Sequence, residues 1–224
     1  MPPKSDNQKR ESNILDASLK LIIQYGYDKT SMNDIAQEAH ISKGAIYLHF
    51  ESKDALFERL LWREGLAYAE LWLNRVDNDP NGVTFASMFK HLLYALANSP
   101  LMSALFKRDK RVLGAYLKRE PNRIQNALIM RQQLIVELQE AGAIRRDVAP
   151  DVLSFIMGMI SYGLISIDDI IPKESQPPLE ATIEACSLIL DHALTPETIT
   201  DPERAKQALR NLMATARTML NQKQ

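Results

Sequence analysis

Ser42-Lys43-Gly44-Ala45, followed closely by Tyr47 and His49, is the segment of this 224-residue chain best suited by residue type to chemistry. The chemistry is non-covalent. Small side chains at the start of a helix let the backbone come close to a phosphate, and Lys43 adds a positive charge beside it. Nothing comparable points to catalysis. The four histidines (His40, His49, His91, His192) lack metal-ligand spacing, and there is no Gly-rich phosphate loop and no nucleophile motif. Cys186 is the single cysteine and lies in an apolar helical pattern with Ile183 and Leu190. It reads as an inert thiol in a chain without an intrachain disulfide, as in a reducing cytoplasm. The chain is therefore expected to be no enzyme and to need no cofactor.

Several short elements must hold Lys43 in place. Ile35, Ala36 and Ala39 can share one buried face of a helix, and Ile41 and Ile46 supply apolar plugs from the turn and from the next helix. That is the pattern of a helix-turn-helix, in which two short helices cross steeply over a very small core. Ala36 suits the crossing point, where a larger side chain would push the helices apart. A first helix is expected from about Lys9 to Tyr25, burying Ile14, Ala17, Leu21, Ile22 and Tyr25 and ended by Gly26. Thr30 or Ser31 can cap the second helix, Ser42 the third, and Ser52 a fourth that runs to about Arg75.

The stretch also resembles the DNA-binding domain of the TetR (tetracycline-repressor-like) family of bacterial transcriptional regulators. The resemblance rests on Ile14-Leu15-Asp16-Ala17, Gly26-Tyr27, Thr30-Ser31, Asp34-Ile35-Ala36, Ser42-Lys43-Gly44, Tyr47, His49-Phe50, Ser52-Lys53 and Leu56-Phe57, in the family's order and spacing. It covers the first quarter of the chain. It implies that the third helix lies in the major groove of double-stranded DNA. Ser42, Ala45, Leu48 and His49 then face the bases, Gly44 lets the backbone come close to a phosphate, and Lys43, Tyr47, Lys53 and Thr30 or Ser31 meet phosphates. Ala45 and Leu48 offer no hydrogen bonds, so base readout would rest on thymine methyl contacts and on His49. His40 departs from the family pattern, standing at a turn position that is usually glycine and needs positive φ.

Composition agrees with an all-α chain: 46% apolar residues, 25% charged and eight glycines, with no alternating apolar-polar runs. Net charge is −1, and residues 1–63 carry nine Lys/Arg against nine Asp/Glu. DNA affinity must then come from the placement of charge rather than its excess. Residues 1–8 are expected to be a disordered arm, 9–56 a three-helix DNA-binding domain with its motif at 31–50, and 57–224 a larger helical domain for effector binding and dimerisation.

Helices are expected in that second domain at about 83–98, 100–118, 121–142, 150–170, 178–194 and a polar, exposed 201–221. The fourth helix would join the two domains as a rod. The helices at 150–170 and 178–194 are the dimer candidates, with Gly158 and Gly163 permitting close approach. The apolar run 152–167 is about 16 residues, short of the roughly 20 a membrane span needs. Phe89, Met102, Phe106, Tyr116, Met130, Phe155, Met159 and Tyr162 are candidates for lining an effector pocket. Arg108 stands with them in a basic cluster reaching to Arg123, which would suit an anionic and partly apolar effector. The expectation is a cytoplasmic homodimer that represses transcription from a palindromic operator until a small molecule binds. The alternative is a DNA-binding helical protein that recruits a protein partner without an effector.

Overall fold

Helical periodicity dominates the chain, and no strand forms among the described residues. The structure is a computed structural model and describes residues 6–80, 84–118, 123–197, 201, 203–208, 210, 211 and 214, with side chains 123–128 left out. The helices are α1 Asp6–Tyr25, α2 Met32–Glu38, α3 Lys43–Tyr47, α4 Lys53–Asp77, α5 Phe85–Ala97, α6 Pro100–Lys107, α7 Lys110–Leu113, α8 Arg123–Glu140, α9 Pro150–Ser166 and α10 Leu179–Leu194. Helix α1 already includes Asp6–Gln8, which were expected in the arm; residues 1–5 lie outside the described residues.

Contacts divide the chain into two compact units, Met1–Gly65 with Pro100–Pro121, and Leu66–Ser99 with Asn122–Gln224. In the first, Ile14, Ile22, Ile35, Ile46, Leu56, Phe57 and Leu60 are fully sealed. The single helix expected at 100–118 is broken. Arg108 takes a left-handed φ of 53°, and the Asp109 carboxylate then caps α7 by accepting the Arg111 N–H at 2.9 Å. A 3-10 turn over Gly114–Lys118 follows.

This broken segment packs on the turn after α1. The Tyr27 N–H donates to the Val112 carbonyl at 2.8 Å, and the Asp28 carboxylate accepts the Ala115 N–H at 3.1 Å. The Phe57 ring lies 4.8 Å from that of Tyr27 and 4.7 Å from that of Tyr116. Tyr116 and Met102 thus belong to the core around α1, in the same unit as Phe106 and the exposed Arg108.

The second unit packs α5 on α10 and on α9, and α9 on α8, around Phe85, Phe89, Leu93, Ile135, Leu138, Ile144 and Ile183. Ala205 and Ala208 join this core, so the segment expected to be an exposed polar helix buries two of its alanines; positions 202, 209, 212, 213 and 215–221 of that expectation lie outside the described residues. By length and composition, Pro150–Asp169 could cross a membrane. In the fold, Leu153, Ser154, Met157 and Ser161 form a packed face of α9, and Phe155, Met159 and Tyr162 are exposed.

One buried polar group pins the end of α4. The Asp79 carboxylate accepts from the Ser87 hydroxyl and from His91 Nε2, the latter at 2.7 Å, with the Lys90 ammonium at 3.4 Å. Arg75 Nε donates to His91 Nδ1 at 3.3 Å. Burial lowers the His91 pKa, outweighing the opposite pull of Asp79, while Lys90 and Arg75 add to the lowering. A depressed folded value means His91 must gain a proton more readily on unfolding. Its contribution is therefore complete above the ordinary histidine value and is lost as pH falls. The melting temperature should drop between about pH 7.5 and 5.5, and His91→Gln should flatten that dependence. Parallel melting curves for the two proteins against pH would contradict it.

Candidate nucleic-acid interface

The reading head is built from two capped short helices. Ser31 and Asp34 form a reciprocal capping box at α2: the Ser31 hydroxyl accepts the Asp34 N–H at 3.2 Å, and the Asp34 carboxylate accepts the Ser31 N–H at 2.9 Å. These bonds from Ser31 hold the Asp34 carboxyl below its usual range. Ser42 caps α3, accepting the Ala45 N–H at 3.2 Å. Ile46 is fully buried and Phe50 nearly so, which fixes the rotation of α3. The remaining side chains then have no choice of direction. Lys43 and Tyr47 are exposed, Leu48 is 87% exposed, and Ala45 and His49 are half-buried.

The turn between α2 and α3 has the shape that left-handed backbone gives. His40 takes φ 55°, donating its N–H to the Gln37 carbonyl while Ile41 donates to Ala36. His40→Gly should change stability by less than about 0.5 kcal/mol, since relief of left-handed strain is offset by a looser unfolded chain. His40→Val should cost about 1–2 kcal/mol, because a β-branched side chain resists that backbone. Urea denaturation of both variants measures this. Equal loss in the two would mean that the imidazole itself, not φ, matters.

Thr30 and Lys53, expected at phosphates, turn their polar atoms inwards. Thr30 is buried and its hydroxyl donates to the Gly26 carbonyl at 2.9 Å. The Lys53 ammonium donates to the Tyr27 and Thr30 carbonyls at 3.0 and 3.1 Å and lies 4.2 Å from the Tyr27 ring centre. Of the Thr30/Ser31 pair, Ser31 is the exposed one. Lys53 ties the start of α4 to the turn before α2, a role its spacing in the sequence did not reveal.

Part of the charge is tied up in ion pairs. Glu38 is bound to Lys20 at 2.6 Å, Glu11 to Arg59 at 2.8 Å, and Asp16 and Glu64 to Arg63 at 2.6 and 2.8 Å. Lys29 and Lys43 enter no ion pair among the described residues. Equal numbers of charges thus leave exposed positive charge on α3.

The residues expected to line one pocket are dispersed. Met102, Phe106, Arg108 and Tyr116 lie in the first unit, and Phe89, Met130, Phe155, Met159 and Tyr162 in the second. Phe89 is buried core, while Phe155, Met159 and Tyr162 are 68%, 53% and 52% exposed. An aromatic or methionine stripe at helical spacing marks a face without saying what covers it. Arg111 of the basic cluster pairs with Asp109 at 3.0 Å in solvent; Arg119 and the Arg123 side chain lie outside the described residues.

Residues 14–60 match the model for bacterial regulatory proteins of the tetR family. The chain is 30% identical over 173 residues to the probable acrEF/envCD operon repressor of Escherichia coli, covering 72% of this chain and 77% of that protein. It is 27% identical over 145 residues to the transcriptional repressor DhaR of a Mycobacterium species, covering 63% of this chain and 73% of that protein. Among solved structures, the regulator FadR of Bacillus subtilis in complex with stearoyl-CoA has a TM-score of 0.60, at 16% identity, over 80% of this chain and 96% of that one. With a capped helix-turn-helix on one side and sequence kinship over most of a relative's length on the other, this chain belongs to the TetR family of bacterial regulatory proteins.

Proposed function

We propose that the protein is a cytoplasmic, dimeric transcriptional repressor that holds a palindromic operator through α3 and lets go when a small molecule binds its larger helical unit. The observation that carries this reading is the outward face of α3. It presents Lys43, which enters no ion pair among the described residues, together with Tyr47 and Leu48, while Lys20, Arg59 and Arg63 are paired with acids. Gly44 supports it: a Cβ there would meet only the Ser42 hydroxyl at 4.0 Å, so the fold itself does not require glycine. Room for a phosphate does. Ser31, Ser42, Lys43 and Tyr47 position the helix, and Ala45, Leu48 and His49 read bases. Repression is the activity named for the two relatives above.

Dimerisation is supported by the exposed stripe of α9 and by Leu188 and Ile189 on α10, which are 60% and 69% exposed. A groove of about 610 Å³ lined by Ile160, Ala181, Ala185 and Ile189 continues this apolar surface. An exposed apolar face of this kind suits a second copy. Two reading helices would then meet half-sites about 34 Å apart, one turn of DNA. Helix α4 is unbroken from Lys53 to Asp77.

Binding to the DNA upstream of the protein's own gene, across a salt series, tests the reading head. Lys43→Ala should weaken binding about tenfold and make the slope of log K against log salt shallower by about 0.9 per half-site. Unchanged affinity and slope would remove Lys43 from the interface.

A further inference from the structure

The second unit contains a cationic group that the reading head does not use. Arg131 projects from α8 against α9, where its Nη1 donates to the Ser154 carbonyl at 3.2 Å. Gly158 allows this approach, since a Cβ at that position would stand 3.2 Å from the same Nη1. Ser154 is 1% exposed, and its hydroxyl is buried with no hydrogen-bond partner among the described residues. Tyr68, from α4, packs against this core. Burial lowers the Arg131 pKa and raises that of the Tyr68 phenol, and each feels the other's charge. Arg131 and Tyr68 nevertheless keep some accessible surface.

A guanidinium taken out of water, beside an interior phenol and an unsatisfied hydroxyl, is a costly arrangement for a fold to keep. Its geometry suits one kind of visitor. The planar fork of arginine pairs with a carboxylate through two parallel bonds, and a hydroxyl on each neighbouring helix can donate to the same anion. A phosphate dianion would bring a second negative charge that one arginine leaves uncompensated. The surrounding core is apolar, with Ile135, Leu138 and Met157 buried in it, so the rest of the ligand must be apolar too.

We propose that Arg131, with Tyr68 and Ser154, forms the recognition point for the carboxylate of an apolar organic acid, which is the effector class of this regulator. The site rests on the repressor reading only for its consequence; binding of the acid does not depend on DNA. On entry, the Arg131 side chain moves from the Ser154 carbonyl to the carboxylate, and the Ser154 hydroxyl and the Tyr68 phenol donate to complete its hydrogen bonds. Tyr68 lies on helix α4, so the site draws on α4, α8 and α9 of the second unit.

The test is thermal-shift and calorimetric titration of the full chain with straight-chain and aromatic carboxylic acids, each paired with its neutral primary amide. Wild-type protein should bind at least one acid tenfold or more tightly than its amide. Arg131→Met should abolish that preference, Arg131→Lys should keep part of it, and Ser154→Ala should weaken it a few-fold. If no acid outperforms its amide, or if Arg131→Met keeps the preference with its fold intact, the inference is wrong. DNA binding separates the two readings. An acid that binds through Arg131 without releasing the operator refutes the effector role and leaves the site. Release of the operator by a neutral compound, equal in wild type and Arg131→Met, keeps the repressor and refutes the site.

Discussion

Gly26→Ala is expected to destabilise the DNA-binding unit by about 2–4 kcal/mol, enough to abolish DNA binding at physiological temperature. Two costs add. Gly26 has φ +89°, where an L side chain is strained. A Cβ there would also lie 2.2 Å from the Arg111 carbonyl oxygen. That oxygen belongs to the backbone of α7 and cannot rotate away, so α7 must shift and the Tyr27 to Val112 hydrogen bond of 2.8 Å must lengthen or break. Gly114→Ala is the informative contrast. Its Cβ would meet the Asp28 carboxylate, also at 2.2 Å, but that side chain can turn aside. Its loss should be the smaller of the two. Urea denaturation of both variants decides the matter. Gly26→Ala within 0.5 kcal/mol of wild type, a margin of about 1 RT, would mean that the turn does not rest on α7.

The second large effect is expected on α9. Phe155, Met159 and Tyr162 are spaced four and three residues apart, on one face of the helix, and each is more than half exposed. If that stripe meets its copy, Phe155→Glu with Tyr162→Glu places four carboxylates in an interface that would otherwise exclude water. An unpaired buried charge costs several kcal/mol, so the dimer dissociation constant should rise by at least about a thousandfold. Light scattering should report a monomer, while the melting temperature stays close to that of wild type because neither side chain is in the core. Operator binding should fall with dimerisation, since one short helix reads too few bases alone. A double variant that remains dimeric would move the interface elsewhere, with α10 around Leu188 and Ile189 as the next place to probe.

Much of the recognition unit was legible in the residues. Gly26 after a periodic helix, Ser31 and Ser42 as caps, and Ile35, Ala36 and Ile46 as the small shared core are local signals. Local signals survive folding because caps and turns depend on neighbours within three or four positions. His40 shows the same thing: its place in the turn called for positive φ, and 55° is what the backbone adopts. The direction of Leu48 and Tyr47 followed once Ile46 was assigned to the core.

Other features depended on residues far apart in the chain. The sequence presents Lys53 and Thr30 as polar residues next to helix starts; only the closing of α4 against the turn after α1 directs their polar atoms inwards. It shows Phe89, Tyr116 and Phe155 as equivalent aromatic residues on apolar faces. Their fates (core of one unit, core of the other, and open surface) depend on which helix lies opposite. The break at Arg108 and Asp109 was not expected from the sequence; it goes with the docking of residues 110–118 on Tyr27 and Asp28. Arg131 carries no motif at all. By itself, then, the sequence determined the all-helical class, the reading head and the kinship, because these rest on short-range patterns. Tertiary structure alone decided which cations stay outside ion pairs among the described residues, which apolar stripe is left uncovered and which arginine is drawn partly into the core, because charge pairing and burial are properties of neighbours in space.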